Sequence, residues 1–212
     1  MASAKIKQLT IWSPFPMIAI DFLVAFLAGK VIGVWVWVPI MLVYWALIVT
    51  LIWANGGKAL VAQWLAPSQG AWYWNGLALI WFLPLLPAFL DNLHFYSEGR
   101  IVVWTIVVVL LNPWFEEGYW RGLVLDRTSE WPGWISLLYS SVLFTANHLP
   151  MSVHSVGLRH PITLVAVGLM GLTWGIVYRK TKSLRWVILG HFLVDSFALT
   201  VPALLSLYPP SG

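Results

Sequence analysis

The chain has 212 residues, 60% of them hydrophobic and 9% charged, with a mean hydropathy of +0.81; soluble domains carry roughly 25% charged residues, so a water-soluble globular protein is excluded. A net charge of +4 does not point to nucleic acid, because the basic residues lie between apolar runs rather than in one patch. No cysteine is present, which removes disulfides, a thiol nucleophile and any cysteine-based metal site.

Apolar segments fall at 11–29, 32–53, 71–90, 101–125, 134–150, 161–178 and 186–207, each long enough to span a bilayer or nearly so. The expected fold is all-α, a polytopic transmembrane helix bundle of about seven spans (six to eight), forming one integral membrane domain over residues 1–212. The first segment follows Lys5 and Lys7, as a signal peptide would, but it holds Pro14, Pro16 and Asp21 and lacks a small-x-small cleavage site. It reads as a retained first helix. Leu60 to Ala66 reads as a short interfacial helix. Tryptophans cluster at Trp35 and Trp37, at Trp72 and Trp74, and at Trp131 and Trp134, where they suit anchoring at the lipid interface. Tyr208 to Gly212 reads as a frayed tail. With the N-terminus cytoplasmic, nine Lys and Arg residues fall on the inner side and Lys30, Arg100 and Arg159 on the outer, which accounts for all twelve. The strongest inner cluster is Arg179-Lys180-Thr181-Lys182-Ser183-Leu184-Arg185.

Against this background the polar residues within the apolar runs stand out, since a charge near the bilayer centre costs at least ~2.5 kcal/mol. Glu116 and Glu117 are adjacent in the fourth segment, and Arg121 follows four residues after Glu117. Helical geometry pairs Glu117 with Arg121 and turns Glu116 about 100° away, which makes Glu116 the candidate for water activation. Phe144 and His148 are four apart, so the phenyl ring can restrict the imidazole, and Pro150 is expected to end or bend that helix. Asn147 can support the same cavity. His191 and Asp195, again four apart, share one face of the last segment, where they can hydrogen-bond a substrate oxygen, bind a metal or orient each other. Counted from the inner ends of their segments, Glu116, His148 and Asp195 lie about 13, 21 and 13 Å deep. They can converge on one cavity, reached from the cytoplasmic side or laterally from lipid.

The ordered set Glu116-Glu117-x-x-x-Arg121, Phe144-x-x-x-His148 and His191-x-x-x-Asp195 resembles the CPBP intramembrane proteases, which include type II CAAX prenyl endopeptidases and bacterial bacteriocin-processing and self-immunity proteins. The resemblance covers about residues 101–200 and implies a protease core at 101–207 that hydrolyses a peptide bond within the membrane. By position Glu116 would activate water with His148 as partner, His191 and Asp195 would stabilise the oxyanion or bind metal, and Glu117 and Arg121 would support them. The family is described both as metal-dependent, with zinc on Glu116, His148, His191 and Asp195 as the alternative here, and as metal-independent. No HExxH helix is present, and the reading leans to a glutamate mechanism. The expected partners are membrane lipids and a peptide or membrane-protein substrate, lipidated or not. The size of the chain favours a bacterial or archaeal cell membrane, so CAAX-type processing is not assumed. Two other classes compete: a proton-coupled transporter, which would predict repeated halves that the sequence lacks, and a non-catalytic peptide-binding or immunity scaffold.

Overall fold

The computed structural model describes residues 4–207, and among them all regular structure is helical, without a strand. The tail expected at Tyr208 to Gly212 lies outside the described residues. The short helix α1 (Ala4–Trp12) leads into α2 (Pro14–Ile32), which Pro14 opens at a position where its missing N–H costs no hydrogen bond. Gly33, at φ 56°, turns the chain through one 3₁₀ turn into α3 (Trp37–Asn55), and α2 and α3 pack on each other. Each has 19 residues and is therefore about 28 Å long, the thickness of a hydrocarbon core. Gly56 and Gly57, at φ 141° and 53°, then turn into α4 (Gly57–Trp64), the expected interfacial helix displaced a few residues towards the N-terminus.

The third apolar segment is the one that departs most from expectation. Pro84 and Pro87 break it into α5 (Tyr73–Leu79), a 3₁₀ stretch (Ile80–Leu85) and α6 (Leu86–Asp91), because each proline removes a backbone donor and crowds the preceding turn. A 3₁₀ turn at Leu93–Ser97 leads into α7 (Gly99–Glu117), which runs on without interruption through a π-helical stretch (Gly118–Val124) into α8 (Leu125–Arg127). The remaining helices are α9 (Gly133–Ala146), α10 (Leu149–Ser152), α11 (Val156–Arg159), α12 (Pro161–Thr181), α13 (Arg185–Phe197) and α14 (Thr200–Leu204).

All seven apolar segments are helical, and four helical runs are long and apolar enough to cross a membrane: Pro14–Asn55, Tyr73–Asp91, Gly99–Arg127 and Pro161–Thr181. The segments expected at 134–150 and 186–207 are shorter as helices. They form α9 with 14 residues and α13 with 13, about 20 Å each. His148 lies just past the end of α9, where Pro150 restarts the chain as α10, and Leu199, in the left-handed region at φ 52°, separates α13 from α14.

Lipid is as apolar as leucine, so close packing and polar contacts, rather than exclusion of water, hold such a bundle together. The centre follows that rule. Tyr44, Tyr119, Trp120, Leu123 and Val124 are fully buried; Trp120 donates to Tyr44 Oη at 2.6 Å, Ser140 donates to the Trp120 carbonyl at 2.8 Å, and Tyr119 shares a 2.6 Å hydrogen bond with Ser13. Trp37, expected at the interface, is instead buried edge-on against Trp104, whereas Trp72 and Trp134 are exposed as anchors should be. The outward faces of α2 and α12 are apolar, with Leu27, Val31, Ile162 and Val165 all exposed. α13 packs against both α7 and α5, and α12 packs against both α9 and α5. This arrangement brings the three polar motifs together.

Candidate active site

On α7 the residues Asn112 and Glu116 lie one turn apart on a single face, towards α13. The indole N–H of Trp45 donates to Asn112 Oδ1 at 3.1 Å, and because an indole can only donate this contact turns the amide so that Nδ2 faces the acids. Nδ2 donates to Glu116 Oε2 at 3.3 Å and to Asp195 Oδ2 at 3.2 Å. His191 Nε2 faces the same two oxygens at 3.5 and 3.6 Å. None of these contacts uses Glu116 Oε1, and Glu116 lines a cavity of about 580 Å³.

Glu117 points the other way, as its position in the helix predicts, and meets Arg121 Nη1 at 3.0 Å. It does more than that pairing required. The same oxygen, Oε1, accepts from His191 Nδ1 at 2.7 Å, so Glu117 joins Arg121 to the imidazole. The pair is sealed, at 0% and 1% exposure for Glu117 and Arg121. Its guanidinium lies 4.0 Å from the Phe144 ring centre and 5.3 Å from that of Trp174, a cation–π setting that is strong where water is absent. The π-helical stretch holds Arg121 in this position; such stretches are rare and cluster at functional sites.

Two aromatic rings fix the two histidines. Phe144 meets His148 edge-on at 4.8 Å, and His148 Nδ1 donates to the Phe144 carbonyl at 2.9 Å, leaving Nε2 with the lone pair in the neutral ring. Trp174 stacks on His191 at 4.8 Å and is itself anchored by donating to the Ala78 carbonyl at 2.9 Å. His148 lines the same cavity as Glu116, His191 and Asp195. Asn147 is buried on the cavity wall with its Oδ1 unpaired.

Of the eight residues singled out in the sequence, Glu116, Glu117, Arg121, His191 and Asp195 form one contact network, Phe144 covers Arg121 and His148, and His148 and Asn147 complete the wall. Two contributors are new. Asn112 lies within the apolar segment 101–125, beside Pro113, and Asn112-x-x-x-Glu116 repeats the spacing that exposed the other pairs. Trp174 gave no signal among 16 tryptophans.

The zinc alternative finds no preassembled ligand set, for among the described residues no three His, Cys, Asp or Glu side chains are arranged to hold a metal ion. The Asn112 amide donates into the space between Glu116 and Asp195, the position a cation would need, whereas the Nδ1 contacts of His191 and His148 leave their Nε2 atoms on the cavity side. What the arrangement supplies chemically is a carboxyl oxygen facing an apolar cavity, with N–H donors beside it.

Comparison with known proteins adds one result. Residues 98–197 match a family model described as type II CAAX prenyl endopeptidase Rce1-like. No curated protein and no solved structure matches the chain significantly. The matched residues begin at α7 and end with α13, so they contain every residue of the contact network, whereas the preceding helices supply Trp45 and the packing around it.

Proposed function

We propose, on the premise that the chain belongs through residues 98–197 to the CPBP/CAAX protease family of integral membrane proteins, that it is an intramembrane endopeptidase in which Glu116 activates water. The observation that carries this reading is the contrast between the two glutamates. Each has one oxygen without a hydrogen bond, but that of Glu117 is sealed in the interior behind the Arg121 and His191 contacts, while Glu116 borders the cavity.

In this mechanism the peptide carbonyl enters the cavity beside Glu116, and water attacks its carbon as Oε1 takes the water proton. Negative charge develops on the carbonyl oxygen. The N–H donors closest to Glu116 are His191 Nε2 and Asn112 Nδ2, and donors held in place before the reaction lower the barrier most. The proton held by Glu116 then passes to the leaving nitrogen, directly or by way of His148 Nε2, and the C–N bond breaks. Asp195 repels an oxyanion if it faces one. Its contacts with Asn112 and His191 support an orienting role instead. Glu117 and Arg121 act through His191, and Phe144 acts through His148, so these three are positioning residues.

The substrate class is a peptide or membrane protein, presented from within the bilayer of a bacterial or archaeal cell with the N-terminus cytoplasmic, as the nine inner and three outer basic residues favour. The family match favours hydrolysis over the carrier and scaffold readings. The test is cleavage of a quenched fluorescent peptide library by detergent-purified wild type and Glu116→Gln, with and without a strong chelator. Cleavage by wild type alone, insensitive to chelation, is expected. Loss of activity on chelation would overturn the glutamate mechanism, and a fully active Glu116→Gln protein would overturn the assignment.

A further inference from the structure

The polar side chains on the cavity wall can be accounted for one by one. Glu116, Asn112, His148, His191 and Asp195 carry the reaction proposed above. Thr163 donates to the Gly157 carbonyl at 3.0 Å, Thr200 to the Asp195 carbonyl at 3.2 Å and Trp174 to the Ala78 carbonyl at 2.9 Å. Two side chains of the wall then remain unpaired among the described residues, the Trp81 indole and the Asn147 amide. An indole can only donate, whereas a carboxamide offers donors and an acceptor together.

Asn147 is 3% exposed and sits just past the end of α9, where an asparagine side chain can bond to the nearby backbone. Here the nearby carbonyls already receive other donors. That of Leu143 accepts from the N–H of Asn147 itself at 2.9 Å, that of Thr145 from the N–H of His148 at 3.0 Å and that of Phe144 from His148 Nδ1 at 2.9 Å. The amide is left on the wall next to His148, with Oδ1 buried and without a partner. Such a state is costly, and the soft terminal torsion of asparagine lets the amide turn towards a ligand that offers both kinds of partner.

A peptide entering this cavity has the complementary need. Its backbone N–H and C=O groups leave water and require partners at membrane depth. Many peptide-binding proteins supply them from the edge of a sheet, but the described residues contain no strand. In an extended chain the N–H and C=O of one residue point to the same side, so a single carboxamide can accept from the first and donate to the second.

We propose, resting on the protease reading above, that Asn147 is a substrate-binding residue whose Oδ1 and Nδ2 pair with the backbone N–H and C=O of one extended residue close to the cleaved bond. It takes the place of a strand edge. Because it reads backbone, it places no demand on the side chain of the residue it holds.

The test uses an apolar quenched fluorescent peptide that wild type cleaves, or an apolar library member if none is cleaved. In its analogues single peptide bonds other than the scissile one are replaced by a trans alkene, which keeps the shape and removes one C=O and one N–H. For wild type, replacement of either of two adjacent bonds, those flanking a single residue, should raise KM by about 10-fold. Asn147→Ala should raise KM for the all-amide peptide by at least as much with kcat nearly unchanged, the pattern of a lost uniform contact, and should remove the penalty at those two bonds. The melting temperature in detergent should not fall, since the amide has no partner within the protein. An unchanged KM in Asn147→Ala, or alkene penalties that persist there in full, would overturn the inference. Failure of both Asn147→Ala and the bulkier Asn147→Leu to fold would also overturn it, by giving the amide a structural role. If wild type cleaves none of the peptides, the protease reading fails, and dissociation constants of the same peptides from fluorescence anisotropy decide by the same pattern whether Asn147 holds backbone; absence of binding would overturn that as well.

Discussion

One turn of α7 carries two glutamates with opposite surroundings. Around Glu117 every close contact is short, 2.7 Å to His191 and 3.0 Å to Arg121, and lies behind aromatic rings out of reach of solvent. Around Glu116 the contacts run from 3.3 to 3.5 Å, near or past the limit of a good hydrogen bond, and the carboxyl borders a cavity. The difference separates two requirements. A group that must exchange a proton with an arriving water has to be loosely held on one side, whereas the imidazole beside it needs a fixed orientation, which short charge-assisted bonds supply.

The severest way to break this contrast is Glu116→Gln, which keeps shape and removes the proposed base. Turnover should fall by about 10³-fold, within the range for a general base, while the melting temperature measured in detergent stays unchanged. An unfolded protein would mean that the front of the site is as structural as the back. Glu117→Gln tests the other side. Removing one charge from a buried pair costs about 3–5 kcal/mol, so denaturant unfolding should show a loss of that order together with lower kcat, as His191 loses its anchor. If Glu117→Gln instead left stability intact, the sealed side would have no special standing.

Asn112→Ala sharpens the comparison by acting on the open side alone. Losing one preorganised donor should lower kcat by about 10- to 100-fold, less than a full oxyanion donor, with little change in KM or melting temperature. The smallest effect is expected on α2, outside the hydrogen-bonded network of both glutamates. Asp21 is fully buried on α2 with neither carboxyl oxygen hydrogen-bonded, a costly state, so Asp21→Asn should leave stability within about 1 kcal/mol of wild type or raise it. A large loss in thermal melting would show that Asp21 has a partner the geometry does not reveal.

Much of this site can be read from spacing, because its parts are pairs four residues apart on helices, and helical geometry converts such spacing into contact. Glu117 with Arg121, Phe144 with His148 and His191 with Asp195 are of this kind. The contact between Glu117 and His191 spans 74 residues and depends on how α13 crosses α7, which no local pattern encodes. Asn112 has the same spacing to Glu116, but an uncharged amide in an apolar run does not stand out as a carboxylate or imidazole does. In the fold, continuous apolar runs reveal helices well but not their interruptions. Hydropathy treats 71–90 as one span, and Tyr73–Asp91 is one helical run, but it does not show the 3₁₀ stretch that Pro84 and Pro87 impose within it, and it carries 186–207 past the left-handed Leu199 that separates α13 from α14. Prolines are visible in a sequence, yet a left-handed leucine is imposed by tertiary packing.

His191 follows Gly190, and a Cβ on Gly190 would run into the carbonyl oxygen of Ala78. The Trp174 indole, which stacks on His191, is bonded to that same oxygen. One backbone atom of α5 thus serves as the common stop for both neighbours of the imidazole. In a saturation mutagenesis screen scored by activity, position 190 should tolerate no other residue and would be mistaken for a reacting group. It contributes only the absence of a side chain, and Ala78→Gly, which keeps the backbone oxygen and adds no bulk at a fully buried position, should score far milder beside it.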